Sequence, residues 1–382
     1  MALWSLEMSL AVPPEPLGVG IRIPPNMGAD EFERQWAHFL ASFGFPGPDP
    51  ALWAPDQGGR VWTARLQPEA FARLCPGFDT LSLAQHLTHW PDIKPGDELL
   101  REVWLALLCA PQRIDFDSIE DLESHLRVRC HIARAAEKTA LAFKTTAAAE
   151  RPEAFWHHQD EVGFLLQPEA DLVDALTAAT QPEHTGRLYD FSCYRASEYV
   201  ILLGLAQEAR TSSIEMYQRL QATARQRCIK SGLFHEVFLI EYGSTDSPIP
   251  ARYYVPGDRV WFKNPDEASS NAEGYEGSWV IYMGGGLFSN FWKRDRPFTL
   301  NDKALEIFHW RDGLYLDEAA EPQINEHIVE AQVAATQADP AQHQQVLARM
   351  SRYRDPAGVY QEGGCMDSSR EFPRPLKRIS LD

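Results

Sequence analysis

The order of periodicities along the chain predicts an α+β fold. Apolar residues recur at helical spacing from about Ser118 to Cys228. Alternating runs take over between Val237 and Trp292, with turns short enough for antiparallel pairing. Ser118 is a good N-cap, and Ile119, Leu122, Leu126, Cys130 and Ala133 follow on one face of a helix expected to reach about Lys144. A second helix starts near Asp190 or Ser192, striped by Ala196, Tyr199, Val200 and Leu203. Ser212 and Glu215 have capping-box spacing for a third, lined by Tyr217, Leu220, Ala224 and Cys228 and ended by Gly232.

Strand patterns follow from Val237 to Tyr242, Arg252 to Val255, Arg259 to Phe262, Trp279 to Met283 and Leu287 to Trp292. Pro256-Gly257 is turn chemistry, since Pro presets φ and Gly accepts a positive one, and Gly284-Gly285-Gly286 suits a hairpin. A helix from about Leu300 to Phe308 closes this block.

Three blocks result. Residues 1–112 form an accessory region without a chemical motif. Its opening is rich in Pro and Gly (Pro13, Pro14, Pro16, Gly18, Gly20, Pro24, Pro25). A helix with Phe32, Trp36 and Phe39 on one face follows, then a break at Pro46, Pro48 and Pro50, a strand from Arg60 to Arg65, and helices near Pro68 to Leu74 and Asp97 to Leu108. Residues 113–318 are the α+β core. Residues 319–382 are a polar C-terminal tail, helical from Ile324 to Met350 with a break at Pro340 and loosely ordered past Asp355.

A chain of 382 residues can hold two or three domains, and 19 Phe, 12 Tyr and 11 Trp suffice for at least one large core. The formal charge of −18 repels phosphate backbones and anionic lipid, which argues against nucleic acid as a partner. The six cysteines include no CxxC pair, so reduced thiols in a cytoplasmic setting are expected. The N-terminus lacks a basic segment and Glu7 interrupts it, so no signal peptide is expected, and no apolar run is long enough to insert in a membrane. Export by another route stays open.

The chemistry centres on Cys193. It sits in Tyr189-Asp-Phe-Ser-Cys193, where a helix begins, and a helix N-terminus favours the thiolate. A cysteine at the head of a helix, followed by an antiparallel sheet, is the layout of papain-like cysteine enzymes. The plain alternative is a packed thiol. Other patterns read as structural. The three glycines lack the Lys-Ser/Thr of a phosphate loop, and adjacent His157 and His158 point to opposite faces of a strand, so no metal site is assigned. Trp261, Trp279 and Trp292 are expected to pack in the core, with an aromatic-walled channel as the alternative. Lys263-Asn264-Pro265 ends a strand.

Four stretches resemble one family. Asp117 to Ala136 resembles the first long helix of the small spore-coat type of bacterial transglutaminase, the protein-glutamine γ-glutamyltransferases. Tyr189-Asp-Phe-Ser-Cys193-Tyr-Arg-Ala resembles the family's nucleophile segment, Tyr-x-Phe-Glu-Cys-Ala-Thr-Ala. Pro256-Gly-Asp-Arg-Val-Trp-Phe-Lys-Asn-Pro265 resembles its strand ending in Tyr-Phe-Lys-Asn-Pro, and Tyr275-Glu-Gly-Ser-Trp-Val-Ile-Tyr-Met-Gly284 resembles Trp-x-Gly-Glu-Asn-Val-Ile-x-Leu-Gly. The resemblance implies a papain-like transglutaminase core from about Ile114 to Glu318. It implies a cysteine that takes the acyl group of a protein glutamine, releases ammonia, and passes the acyl group to a lysine amine or to water, with no cofactor. A proton carrier must serve the leaving and entering groups.

The departures fall on those carriers. Ser192 stands where the family has Glu before the cysteine, and Ser278 where it has Glu in the Gly-Glu-Asn element. Asn290 or Phe291 stands where it has His. Serine and asparagine do not carry protons near neutral pH. Glu276, His235, His309 and Asp258 are the replacements within reach of the sheet, each with a structural role as its alternative. Three functions follow: acyl transfer or deamidation by Cys193 with an altered acid/base set; a pseudo-enzyme that binds a protein through the old groove; or a secreted toxin-like effector. A carboxylate or imidazole bonded to the Cys193 sulfur would favour the first; its absence would remove most of that support.

Overall fold

A computed structural model of the protein describes residues 17–24, 28–43, 51–55, 61–87, 97–143, 150–357 and 363–381. The opening prolines up to Pro16, Pro25, the break at Pro46 to Pro50, and Arg60 lie outside the described residues. Five helices frame the site: α1 (Glu98–Leu108), α2 (Ile119–Lys138), α3 (Cys193–Ser212), α4 (Leu300–Gly313) and α5 (Glu326–Ala338). They surround a six-stranded sheet of β1 (Leu239–Tyr242), β2 (Arg259–Lys263), β3 (Gly277–Gly284), β4 (Leu287–Phe288), β5 (Phe298–Thr299) and β6 (Arg370–Pro373). Its order is β5-β4-β3-β2-β6-β1 and every pairing is antiparallel. The fold is α+β.

Local chemistry explains the principal elements. Ser118 caps α2 by accepting the Asp121 N–H at 3.2 Å, and Ile119, Leu122, Leu126, Cys130 and Ala133 are buried as their spacing predicts. Helix α2 packs along α3, and Gly204 makes the close approach possible: a Cβ there would fall 2.4 Å from Ile132 Cγ1 and 2.8 Å from its backbone nitrogen. Gly284, Gly285 and Gly286 all take positive φ (93°, 63° and 76°) in the β3–β4 hairpin. Thr299 and Asp302 close a reciprocal capping box at the head of α4.

Several expectations need correction. Helix α2 stops at Lys138, because Thr139 turns extended and Ala142–Phe143 pairs in parallel with Asp190–Phe191. Ser213, one residue later than expected, caps the following helix (Ile214–Gln226), while Ser212 Oγ bonds back to the Glu208 carbonyl. Cys228 lies beyond that helix. Gly232 sits inside a further helix, Ser231–Phe238, which takes the first two positions of the expected 237–242 strand. Residues 252–255 form no strand. Tyr253, Tyr254 and Val255 are buried, and the Tyr253 hydroxyl bonds the Ala106 carbonyl at 3.0 Å. The stretch past Asp355 supplies β6, which enters the sheet between β2 and β1 and buries Arg370 and Phe372.

The N-terminal region has its own small sheet, in which Ile21–Ile23 pairs with both Trp62–Leu66 and Ile114–Asp115. Its apolar cluster runs on into Ile119, Leu122, Leu126 and Cys130 of α2. A second link is polar. Glu102 of α1, 3% exposed, accepts the Tyr282 hydroxyl at 2.8 Å and the Gly285 N–H at 2.9 Å. Burial pushes its carboxyl up to about 7 from 4.5, against those hydrogen bonds.

Because the folded state holds this proton more tightly than the unfolded chain, the contribution to stability is full below about 4.5 and is lost as pH rises through about 7. The difference amounts to roughly 3 kcal/mol. Glu102→Gln is therefore expected to match wild type near pH 4.5 and to exceed it at pH 8. Denaturant titrations of both proteins across that range check it; parallel pH profiles would contradict it.

Candidate functional site

Cys193 is the first residue of α3, and Ser192 is its N-cap, accepting the Arg195 N–H at 3.2 Å. Ser192 thus holds the helix start on which the cysteine rides, and its hydroxyl is occupied by the backbone. Helix α3 is anchored behind the site by an all-buried stripe that includes Ala196, Tyr199, Val200 and Leu203. Cys193 and Cys228 are half-buried, whereas Cys75, Cys109, Cys130 and Cys365 are buried; all six are free.

The cysteine opens on a cavity of about 440 Å³ between the sheet and helices α4 and α5. Ser278 and Trp279 of β3 and Asn290 lie on its sheet side, Lys303 and Glu306 come from α4, and Glu330 from α5. Thus Cys193, Ser278 and Asn290 share one cavity. Glu276 is exposed at the strand's approach, and its charge opposes a thiolate at Cys193. Asn290 shapes the loop beside the cavity: its amide donates to the Arg296 carbonyl at 2.9 Å and its oxygen accepts the Lys293 N–H at 3.2 Å. Phe291 is buried among the α2 and α3 side chains.

The remaining candidate carriers are engaged elsewhere. His235 Nδ1 meets Glu371 at 2.9 Å, and His309 lies between Asp312 (2.6 Å) and Thr336 (2.8 Å) rather than simply packing beside Trp310. Asp258 is fully buried in an ion pair with Arg129 at 2.7 Å and accepts the Val255 N–H. Among the described residues, no carboxylate or imidazole is hydrogen-bonded to the Cys193 sulfur, and no group of three or more His, Cys, Asp or Glu is arranged to hold a metal ion.

Electrostatics at the sulfur are mixed. Loss of water raises the thiol pKa and outweighs the backbone N–H of Trp279, the Lys303 charge and the backbone N–H of Tyr194, all of which favour the thiolate. The resting nucleophile is a neutral thiol with thiolate-stabilising groups around it. The tryptophans are half-buried rather than core. Trp261 and Trp279 face each other across β2 and β3 with ring centroids 4.9 Å apart, and Trp279 and Trp292 line the cavity. Behind Trp279, the buried Arg259 guanidinium stacks at 4.1 Å on its ring and at 4.2 Å on that of Tyr194. Asn264 ends β2 as its motif suggests, donating to the Tyr275 carbonyl at 2.9 Å.

Lys303 and Glu306 escaped the reading of the sequence. A signal existed: Lys303 shares a heptad-like stripe with Leu300, Ile307 and Trp310, all buried, so a lysine stands at a core-facing position. Its ammonium lies 2.5 Å from Glu306 and 3.5 Å from the centroid of the Phe298 ring.

A search of curated protein sequences found no match. Among solved structures, the chain is similar to a transglutaminase from Geobacillus stearothermophilus (without C-terminal extension). The two are 15% identical with a TM-score of 0.39, over 69% of this chain and 99% of that one. The family model for protein-glutamine gamma-glutamyltransferase matches residues 83–363, starting inside the N-terminal region and ending inside the C-terminal one. That match spans most of the chain and includes the cysteine, the β2 and β3 motifs and the cavity, so the chain belongs to the protein-glutamine gamma-glutamyltransferase family.

Proposed function

We propose that the protein transfers the acyl group of a protein glutamine through Cys193, to an amine or to water, with an acid/base set unlike that of its family. One observation carries this reading: Cys193, at the head of α3, opens on the same cavity as the buried Lys303 and its partner Glu306. A neutral nucleophile of this kind is activated by a base as substrate enters, and catalytic hydrogen bonds often tighten only then. The partner is a protein, either as glutamine donor or as lysine acceptor.

A second reading, a pseudo-enzyme that binds a protein through the same cavity, is favoured by the raised thiol and by the lack of any carboxylate or imidazole bonded to the sulfur among the described residues. The effector reading concerns where such a reaction would act, and no residue bears on it. Ammonia release together with incorporation of a labelled primary amine into a glutamine-rich protein separates the first two. Both signals are expected for transfer, and ammonia alone for deamidation. Saturable binding with neither signal would replace the enzyme by the binding module.

A further inference from the structure

We infer that Lys303 and Glu306 of α4 are the charge and proton partners of Cys193, standing in for the carboxylates and imidazole replaced at Ser192, Ser278 and Asn290; this rests on the acyl-transfer reading. Lys303 is placed against two physical preferences. It lies at the end of the first turn of α4, where the helix dipole disfavours a cation, and it is only 3% exposed, where an ammonium loses its hydration. A leucine or methionine would fill the stripe between Leu300 and Ile307 at lower cost, so packing alone does not account for a lysine there.

What the lysine supplies is a fixed positive charge on the wall of the cysteine's cavity, felt at the sulfur as stabilisation of the thiolate. The face of the Phe298 ring supports its ammonium, and Glu306, one turn on, bonds it at 2.5 Å. Glu306 keeps about a third of its side chain exposed (31%) and lines the same cavity, so its carboxylate is open to a substrate there.

The steps balance with one carrier. Glu306 takes the Sγ–H proton as sulfur bonds to the substrate amide carbon. The carbon–nitrogen bond then breaks, and Glu306 returns the proton to the leaving nitrogen, so that ammonia departs. In the second half an amine or water attacks the thioester carbon and gives a proton to Glu306. The carbon–sulfur bond breaks, and the proton returns to Sγ. Lys303 keeps its proton throughout and offsets the negative charge on sulfur.

The pair predicts opposite effects on the pH dependence of Cys193 alkylation by iodoacetamide, followed by mass spectrometry in the full-length protein. Lys303→Met removes the cation and is expected to slow alkylation at pH 8 about three- to tenfold, with the apparent pKa moved upward. Lys303→Arg keeps the charge and is expected to stay within about twofold of wild type. Glu306→Gln leaves the lysine charge unopposed, so alkylation is expected to quicken while acyl transfer falls. A purely structural role would move both variants in the same direction. Unmoved curves in folded Lys303→Met and Glu306→Gln, or shifts of like sign, overturn the inference. If wild type proves unable to transfer acyl groups, the functional reading falls, while opposite shifts would still establish the hold of the pair on Cys193. If wild type is active and the curves do not move, the pair falls and the reading stands.

Discussion

Cys193→Ser is expected to lower acyl transfer by about a thousandfold or more while leaving the unfolding midpoint unchanged. The change swaps sulfur for a smaller, far less nucleophilic oxygen at the first position of α3. It leaves intact the Ser192 cap, the buried α3 stripe and the Arg259 stack behind Trp279. Base activation by Glu306 would act on a hydroxyl of much higher pKa than the thiol, and the thioester that makes the second half-reaction easy could not form. Substitution of the other half-buried thiol, Cys228→Ser, provides the control: it lies outside the cavity and is expected to leave transfer as it is. Initial rates of amine incorporation by the three proteins, with thermal melts beside them, check the prediction. An active Cys193→Ser would remove the cysteine from the chemistry.

Arg129→Met is expected to cost about 3–5 kcal/mol of folding stability, because it strands a buried carboxylate. Arg129 and Asp258 are both fully buried. The guanidinium bonds Asp258 at 2.7 Å, the Pro256 carbonyl at 3.2 Å and His125 at 2.8 Å, and lies 4.2 Å from the centroid of the Phe372 ring. It therefore joins α2, the turn into β2 and strand β6, three parts of the chain far apart in sequence. The turn leaves no slack, since a Cβ on Gly257 would stand 3.0 Å from the Arg129 Cα. Asp258→Asn is expected to cost less, because asparagine can still accept the Val255 N–H. The double variant is expected to cost less than the sum of the two. A denaturant-unfolding cycle over the four proteins measures the coupling; additive losses would show that the pair does not act as a unit.

Much of the core was legible because its signals are local. The Ser118 cap, the α2 stripe, the start of α3 at Cys193, the Pro256-Gly257 turn, the three-glycine hairpin and the break at Pro340 each depend on a few neighbouring residues. What escaped depends on partners far along the chain. Arg370-Glu-Phe-Pro373 alternates charge, aromatic ring and proline, a poor strand pattern, and becomes a central strand only because β1 and β2 offer edges on either side. Residues 252–255 read as a strand from their aromatic and β-branched side chains, yet their burial comes from packing against the N-terminal region.

The site divides in the same way. Cys193, Ser278 and Asn290 were placed by motif and do share a cavity. Glu276 was reached by adjacency and lies exposed beside it. Lys303 and Glu306 were passed over because a Lys–Glu pair one turn apart reads as a solvated surface bridge until its burial is known.

The most direct test of the central claim is to trap the acyl-enzyme. The full-length protein is mixed with a capped glutaminyl peptide, without amine, and quenched in acid after short delays; mass spectrometry then reads each of the six cysteines. The account predicts the peptide, less ammonia, attached as a thioester at Cys193 alone, absent in Cys193→Ser and released on adding a primary amine. Peptide bound reversibly in the cavity with Cys193 unmodified at every delay would contradict it, and would make the protein a binding member of its family.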